Sequence, residues 1–143
     1  MKYITLIIIV FCCTTSLYSQ EKDTEYLYKK VVEYQIDFER KDNKFSSMNL
    51  YFIDMRFSNI ELSYEGVFLK NFNKIELNNE SKKGVDIIEV YPIKVFGDKI
   101  EIETLSIFKK RKKITVYGKS TYSFKYDFEK QKYVLIDKNQ KML

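Results

Sequence analysis

The longest regular pattern in this chain is an alternation of residues between Ile114 and Phe128. One side would carry Ile114, Val116, Gly118, Ser120, Tyr122, Phe124, Tyr126 and Phe128. Successive side chains of a β-strand point to opposite faces, so this period of two predicts one long strand. A strand needs partners for its backbone hydrogen bonds, and the chain is therefore expected to build a sheet.

Four further segments have the composition and period of strands, namely 48–57, 85–96, 99–108 and 132–136. Gly97-Asp98 lies between two of them and predicts a tight hairpin turn. Pro92 lacks the N–H that a ladder bond needs, so it is expected at an edge or a bulge. Residues 58–84 give no clear assignment, apart from a loop that the polar composition of 78–84 predicts.

Residues 24–39 have the spacing of an α-helix instead. Leu27, Val31, Tyr34 and Phe38 recur at intervals of four, three and four, and they would form one buried stripe. One helix ahead of about five strands predicts an α+β fold. In this fold an N-terminal amphipathic helix packs on an antiparallel sheet, with the strands largely in meander order.

The N-terminus has the three parts of a secretory signal peptide. Lys2 supplies the positive charge, residues 3–13 are apolar except for Thr5, and residues 14–19 are mostly small and polar. We predict a signal peptide over 1–19, a single domain over 20–143, and export to the periplasm or the extracellular space. The apolar run is too short for a membrane-spanning helix. Two alternatives, an uncleaved anchor and a lipoprotein, would leave the protein associated with a membrane.

The residue types that are missing exclude whole classes of chemistry. The chain has no histidine, and its two cysteines, Cys12 and Cys13, both lie in the predicted signal peptide. No catalytic triad or thiolate metal site is therefore expected after cleavage. Glu101 and Glu103 would stand about 7 Å apart on one strand face, but they alternate with isoleucines as on any solvated face. We predict no catalytic residues, no metal ligands and no cofactor.

Positive charge is concentrated in the C-terminal part of the chain. Residues 109–143 hold 11 Lys and Arg against 3 Asp and Glu, whereas residues 20–108 hold 13 against 17. The candidate binding residues are the five consecutive cations, expected as an exposed loop between two strands: Lys109, Lys110, Arg111, Lys112 and Lys113. Such a basic segment could face phosphate, an anionic lipid headgroup or an acidic protein, and an acidic protein surface is the expected partner. Nucleic acid is disfavoured, because the aromatic residues that interleave with lysines over 117–126 are typical of any alternating strand in a Tyr-rich chain. The competing interpretation is a solvated loop that keeps strand edges from aggregating.

The chain resembles the small exported α+β proteins of Bacteroidota-type bacteria. The resemblance rests on the signal that ends at Ser19-Gln20, on the hairpin sequence of residues 87–102 and on the closing sequence of residues 121–136. The order of a helix followed by a meander is also similar to that of cystatin-like and nuclear-transport-factor-like folds. Neither resemblance implies an activity.

Two classes of function are open at this point. The first is an exported, non-enzymatic binding or interaction protein, such as an immunity-type protein that neutralises a toxin or an accessory module of the cell envelope. The alternative is a small hydrolase or isomerase that uses carboxylates. With no histidine, and no thiol after residue 19, few groups remain for catalysis, and the first class is favoured.

Overall fold

The computed structural model describes residues 22–39, 47–57, 62, 64 and 66–143. The predicted signal peptide, residues 1–19, lies outside the described residues. Within the described residues, no helix is both long enough and apolar enough to pass through a membrane. These residues form a sheet-rich α+β fold.

Residues 22–39 form the first helix, α1, as the spacing predicts. Leu27 and Val31 are fully buried, but Phe38 is only half-buried, so its assignment to the buried stripe is wrong. The buried face instead includes Tyr28, Val32, Gln35 and Ile36. A helix that packs on a sheet buries a stripe broader than one row of residues. Gln35 lies within this stripe, and because it is polar, the hydrophobic pattern alone does not identify the centre of the buried face.

In the part of the chain that the structure describes, seven strands form one sheet: β1 (Ser47–Phe52), β2 (Phe68–Asn71), β3 (Val85–Val90), β4 (Lys94–Phe96), β5 (Lys99–Lys110), β6 (Lys113–Asp127) and β7 (Lys132–Met142). Their order is β2-β1-β3-β5-β6-β7, and β4 pairs with β5. β1 runs parallel to both β2 and β3, whereas the remaining pairs are antiparallel. The sheet is mixed, so the prediction of an antiparallel sheet of about five strands in meander order is wrong.

The parallel pairs arise from the chain between β1 and β3. The prediction that the strand beginning at Met48 continues to Phe57 is wrong, because β1 ends at Phe52. Residues 58–84 had no clear assignment from the sequence. Parallel neighbours cannot be joined by a tight turn and need a crossover of a dozen or more residues. The chain between β1 and β2 contains a 3₁₀ turn (Met55–Phe57), and the chain between β2 and β3 contains a second helix, α2 (Lys74–Glu80). Because α2 includes residues 78–80, the prediction of a loop over 78–84 is wrong at its start.

Helix α2 covers the face of the sheet opposite α1. Asn73 begins it with a capping box, in which the Asn73 side chain accepts from two backbone N–H groups and Glu76 accepts from the Asn73 N–H. Leu77 then packs with Phe72, Ile87 and Ile107 in a small second core. We call this the outer face of the sheet and the face under α1 the helix face.

The C-terminal strands follow the sequence pattern more closely. Phe96 pairs with Lys99 around a two-residue turn, so the predicted hairpin at Gly97-Asp98 is confirmed. Gly97 has a φ of 60°, a backbone conformation that favours glycine. Pro92 lies in the three-residue break between β3 and β4, where no ladder hydrogen bond is needed from its nitrogen.

The predicted alternation over Ile114–Phe128 is interrupted by a β-bulge. Ser106 pairs with Gly118 but Ile107 pairs with Val116, which leaves Tyr117 as the extra residue. One extra residue moves everything before it to the other face. Val116 therefore lies on the outer face rather than on the side of Tyr122, and so does Ile114, the partner of Lys109.

Candidate functional site

The five predicted binding residues form the tip of the β5–β6 hairpin. Lys110 pairs directly with Lys113, so only Arg111 and Lys112 form the turn. The expectation that the whole run is a loop between strands is therefore wrong for the other three residues, which end β5 or begin β6. Four of the five are exposed and Lys109 is half-buried. Arg111 has a φ of 54°, a left-handed conformation that costs energy for a residue with a side chain.

Two further lysines are held beside this hairpin tip. The Arg111 N–H donates to the backbone oxygen of Ser81 at 2.6 Å, and Lys82 and Lys83 follow directly after Ser81. Both lysines are exposed. Their position just beyond the C-terminus of α2 is also favoured by the helix dipole. The structure thus brings together cations that are more than 25 residues apart in the chain.

The path of the chain after α2 depends on a glycine. Gly84 has a φ of 101°, and a β-carbon added there would come within 2.7 Å of the Phe108 ring. The Phe108 ring on β5 therefore packs against the backbone of residue 84. This close approach fixes the segment that carries Lys82 and Lys83 against the strand that carries Lys109.

We call this group of seven residues the basic end: Lys82, Lys83, Lys109, Lys110, Arg111, Lys112 and Lys113. None of the seven forms a salt bridge with a carboxylate of a described residue. Several other cations do, for example Lys125 with Asp98 at 2.6 Å and Lys130 with Asp127 at 2.9 Å. The seven cations of the basic end therefore have no direct salt-bridge partner among the described residues, and the opposed pair of Lys110 and Lys113 carries a like-charge cost in the free protein.

The predicted carboxylate pair lies elsewhere, on the outer face of β5. Glu103 accepts from Lys94 at 3.1 Å and forms a salt bridge with Lys119 at 3.4 Å. The hydrogen bond from Lys94, and next the charge of Lys119, hold the pKa of Glu103 below its ordinary value. Glu101 makes a 3.5 Å hydrogen bond with the Ser123 hydroxyl. A general acid near neutral pH needs a raised pKa, so Glu103 is poorly suited to acid catalysis.

A second pair of carboxylates lines a cavity at the C-terminal end of α1. The cavity is small and open to solvent, and Glu39, Asp86 and Tyr117 lie on its wall. Burial, with the nearby charges of Asp86 and Glu39, raises the pKa of Tyr117 to about 12. The bulge at Tyr117 places this ring at the cavity.

A buried polar cluster adjoins the cavity under α1. Gln35 is 1% exposed, and its side-chain oxygen accepts from Tyr122 at 2.7 Å and from Thr104 at 3.0 Å. Its amide nitrogen donates to Glu39 at 3.0 Å, and Glu39 also accepts from Ser106 at 2.9 Å. Polar groups buried in a core are normally paired in this way, so the cluster fixes the position of Glu39.

Little in the sequence indicates the buried polar cluster or the two extra lysines of the basic end. Gln35 and Glu39 sit on the helix next to the predicted stripe, and their partners on the sheet are 67 to 87 residues away. Lys82 and Lys83 lie in a segment that composition marks only as polar. Among the described residues, no group of three or more Asp, Glu, Cys or His side chains is placed to hold a metal ion.

Comparison with known proteins gives no relative for this chain. No family model matches it, and neither a curated protein nor a solved structure shows significant similarity to it.

Proposed function

We propose that this chain is an exported, non-enzymatic binding protein that holds an acidic protein surface through its basic end. The observation that carries the proposal is the collection of seven cations from two distant segments, none in a salt bridge with a described carboxylate. A partner with surface Asp and Glu residues would supply the missing counter-charges. Complementary charge of this kind increases association rates and selects partners.

Export determines the kind of partner that the basic end would meet. The predicted signal peptide would be removed after Ser19, leaving Gln20 as the first residue of the mature chain. An exported toxin bound by an immunity-type protein, or an acidic component of the cell envelope, fits both the location and the charge. The mass of the intact protein from its native host tests this step, and a soluble protein that keeps Met1 would contradict it.

The test of binding uses charge variants that leave the fold intact. The partner is first isolated from envelope extract of the native host, and its affinity is then measured for the parent protein and two variants. One variant replaces Lys82 and Lys83 with Gln. The matched control replaces Lys99 and Lys132, two exposed lysines at the opposite end of the sheet, with Gln. Each substitution is expected to change stability by no more than about 0.5 kcal/mol.

We expect the Lys82 and Lys83 variant to weaken binding about tenfold at low salt and the control to weaken it little. The difference should shrink as salt is added, because exposed charges are screened over about 10 Å at 0.1 M ionic strength. Equal losses in the two variants would mean that only net charge matters. A partner that binds both variants as well as the parent protein would overturn the proposal.

The alternative, a small hydrolase or isomerase, is supported by one feature of the structure. Glu39 and Asp86 lie with Tyr117 around a cavity, and Glu39 is positioned by the buried cluster. If the protein is an enzyme, these carboxylates are better candidates than Glu101 and Glu103. Turnover of a panel of esters and glycosides that disappears in both Glu39→Gln and Asp86→Asn, with folding intact, would favour this alternative.

A further inference from the structure

A second group of cations and polar side chains lies on the outer face of β6 and β7. Lys119 pairs directly with Lys141, and Thr121 pairs directly with Asn139 in the next outer-face position. These four side chains line an open groove. The groove is separate from the basic end, whose cations lie at the tip of the β5–β6 hairpin and after α2.

The charges around the groove are not balanced. Lys119 and Lys94 share the single carboxylate of Glu103, at 3.4 Å and 3.1 Å. Lys141 forms no salt bridge with a described carboxylate. Like charges that stand directly opposite each other on two strands destabilise the pair. Two lysines in this register therefore favour an anion between them.

The side chains also limit the shape of the anion. Two ammonium groups donate as point charges without a preferred plane, and no arginine lines the groove to match a planar carboxylate in a bidentate fork. The hydroxyl of Thr121 and the amide of Asn139 add donors on the neighbouring pair. Donors from both cross-strand pairs that line the groove suit a small ion whose oxygens point in several directions.

We propose that this groove binds a tetrahedral oxyanion of the phosphate or sulfate type. Phosphate would lie between the ammonium groups of Lys119 and Lys141, and Thr121 and Asn139 would donate to its remaining oxygens. The same chemistry could come from free phosphate or from the headgroup of an anionic lipid. This inference is independent of the proposed protein partner, because it uses none of the seven residues of the basic end.

The experiment is a titration of the mature protein with inorganic phosphate, followed by backbone amide shifts at constant ionic strength. Saturable shifts are expected at residues 119, 121, 139 and 141. Lys141→Gln should weaken binding about fivefold, the upper end for one exposed ion pair. The matched control is Lys138→Gln on the same strand, since Lys138 is exposed but pairs with Tyr122 on the helix face.

Each outcome decides the proposal. Groove shifts that weaken in Lys141→Gln but not in Lys138→Gln support it. Absence of saturable shifts, shifts confined to the basic end, or equal losses in both variants would overturn it. A second arm uses phosphatidylcholine vesicles with and without phosphatidylglycerol. Vesicle binding that depends on both phosphatidylglycerol and Lys141, together with a weaker response to free phosphate, identifies a lipid headgroup as the source of the anion.

Discussion

Replacement of Tyr122 by phenylalanine tests the buried cluster under α1. Tyr122 is fully buried, and its hydroxyl donates to Gln35 at 2.7 Å and accepts from Gln140 at 2.9 Å. The change removes a single oxygen from a packed site. Gln35 still accepts from Thr104 at 3.0 Å, and the half-buried Gln140 is placed to reach water. We therefore expect a loss of only about 1 kcal/mol in the free energy of unfolding near neutral pH.

The effect of Tyr122→Phe on the free energy of unfolding should reverse in alkaline solution. Burial raises the pKa of Tyr122 to about 12, although hydrogen bonds from Gln140 and Ser120 lower it in part. An unfolded tyrosine has a pKa of about 10. Because the folded pKa is the higher one, the stabilisation is complete below about pH 10 and is lost as the pH rises through 12. A pKa difference of about 2 units corresponds to about 3 kcal/mol of stability, and half of it is lost by about pH 11.

The phenylalanine variant has no hydroxyl to ionise at this position, so it cannot lose this stabilisation. The curves of unfolding free energy against pH for the two proteins should therefore cross at about pH 11. Urea unfolding, followed by far-ultraviolet circular dichroism from neutral pH upwards, measures both curves. Tyr117, whose pKa is also raised to about 12, is present in both proteins and cancels in the comparison. A difference in the free energy of unfolding between the two proteins that stays constant with pH would refute the reasoning.

Three further predictions concern local stability and are all measured by urea unfolding. Ile36→Ala should cost about 2–5 kcal/mol because Ile36 is fully buried, and Phe38→Ala should cost clearly less; the opposite order would contradict the helix orientation. Asn73→Ala should cost about 1 kcal/mol by removing the capping box, whereas Asn78→Ala on the exposed side of α2 should cost little. Arg111→Gly should gain about 0.5 kcal/mol by relieving the left-handed backbone, and a loss there would contradict that assignment.

The sequence predicts those elements whose signal is local. The period of α1, the strand composition of β3 to β7 and the Gly97-Asp98 turn can each be recognised within a short window. The sheet itself is not a local property. The hydrophobic period indicates which side chains of a strand share a face. It does not indicate which other strand lies beside that strand, or whether the two run parallel or antiparallel. β1 and β3 are therefore recognisable as strands, while their parallel pairing is not.

Contacts between distant segments account for what the sequence analysis missed. Lys82 and Lys83 join the hairpin cations through one backbone hydrogen bond, from Arg111 to Ser81. No side-chain pattern can reveal such a bond, because every residue except proline carries the same donor. Gln35 interrupts the hydrophobic stripe and could be noticed, but its partners Thr104 and Tyr122 are known only once the helix is placed on the sheet.

The bulge at Tyr117 decides which surfaces the long strand β6 offers to a partner. Beyond the bulge, Tyr122 faces the buried cluster while Lys119 and Thr121 face the outer groove. Before it, Val116 lies on the outer face opposite Ile107, which α2 partly covers. A strand without the extra residue would turn Val116 towards the helix face instead. The basic end and the groove share β6 but remain separate sites, because the cations of the basic end lie at the hairpin tip whereas Lys119 and Thr121 lie beyond the bulge on the outer face.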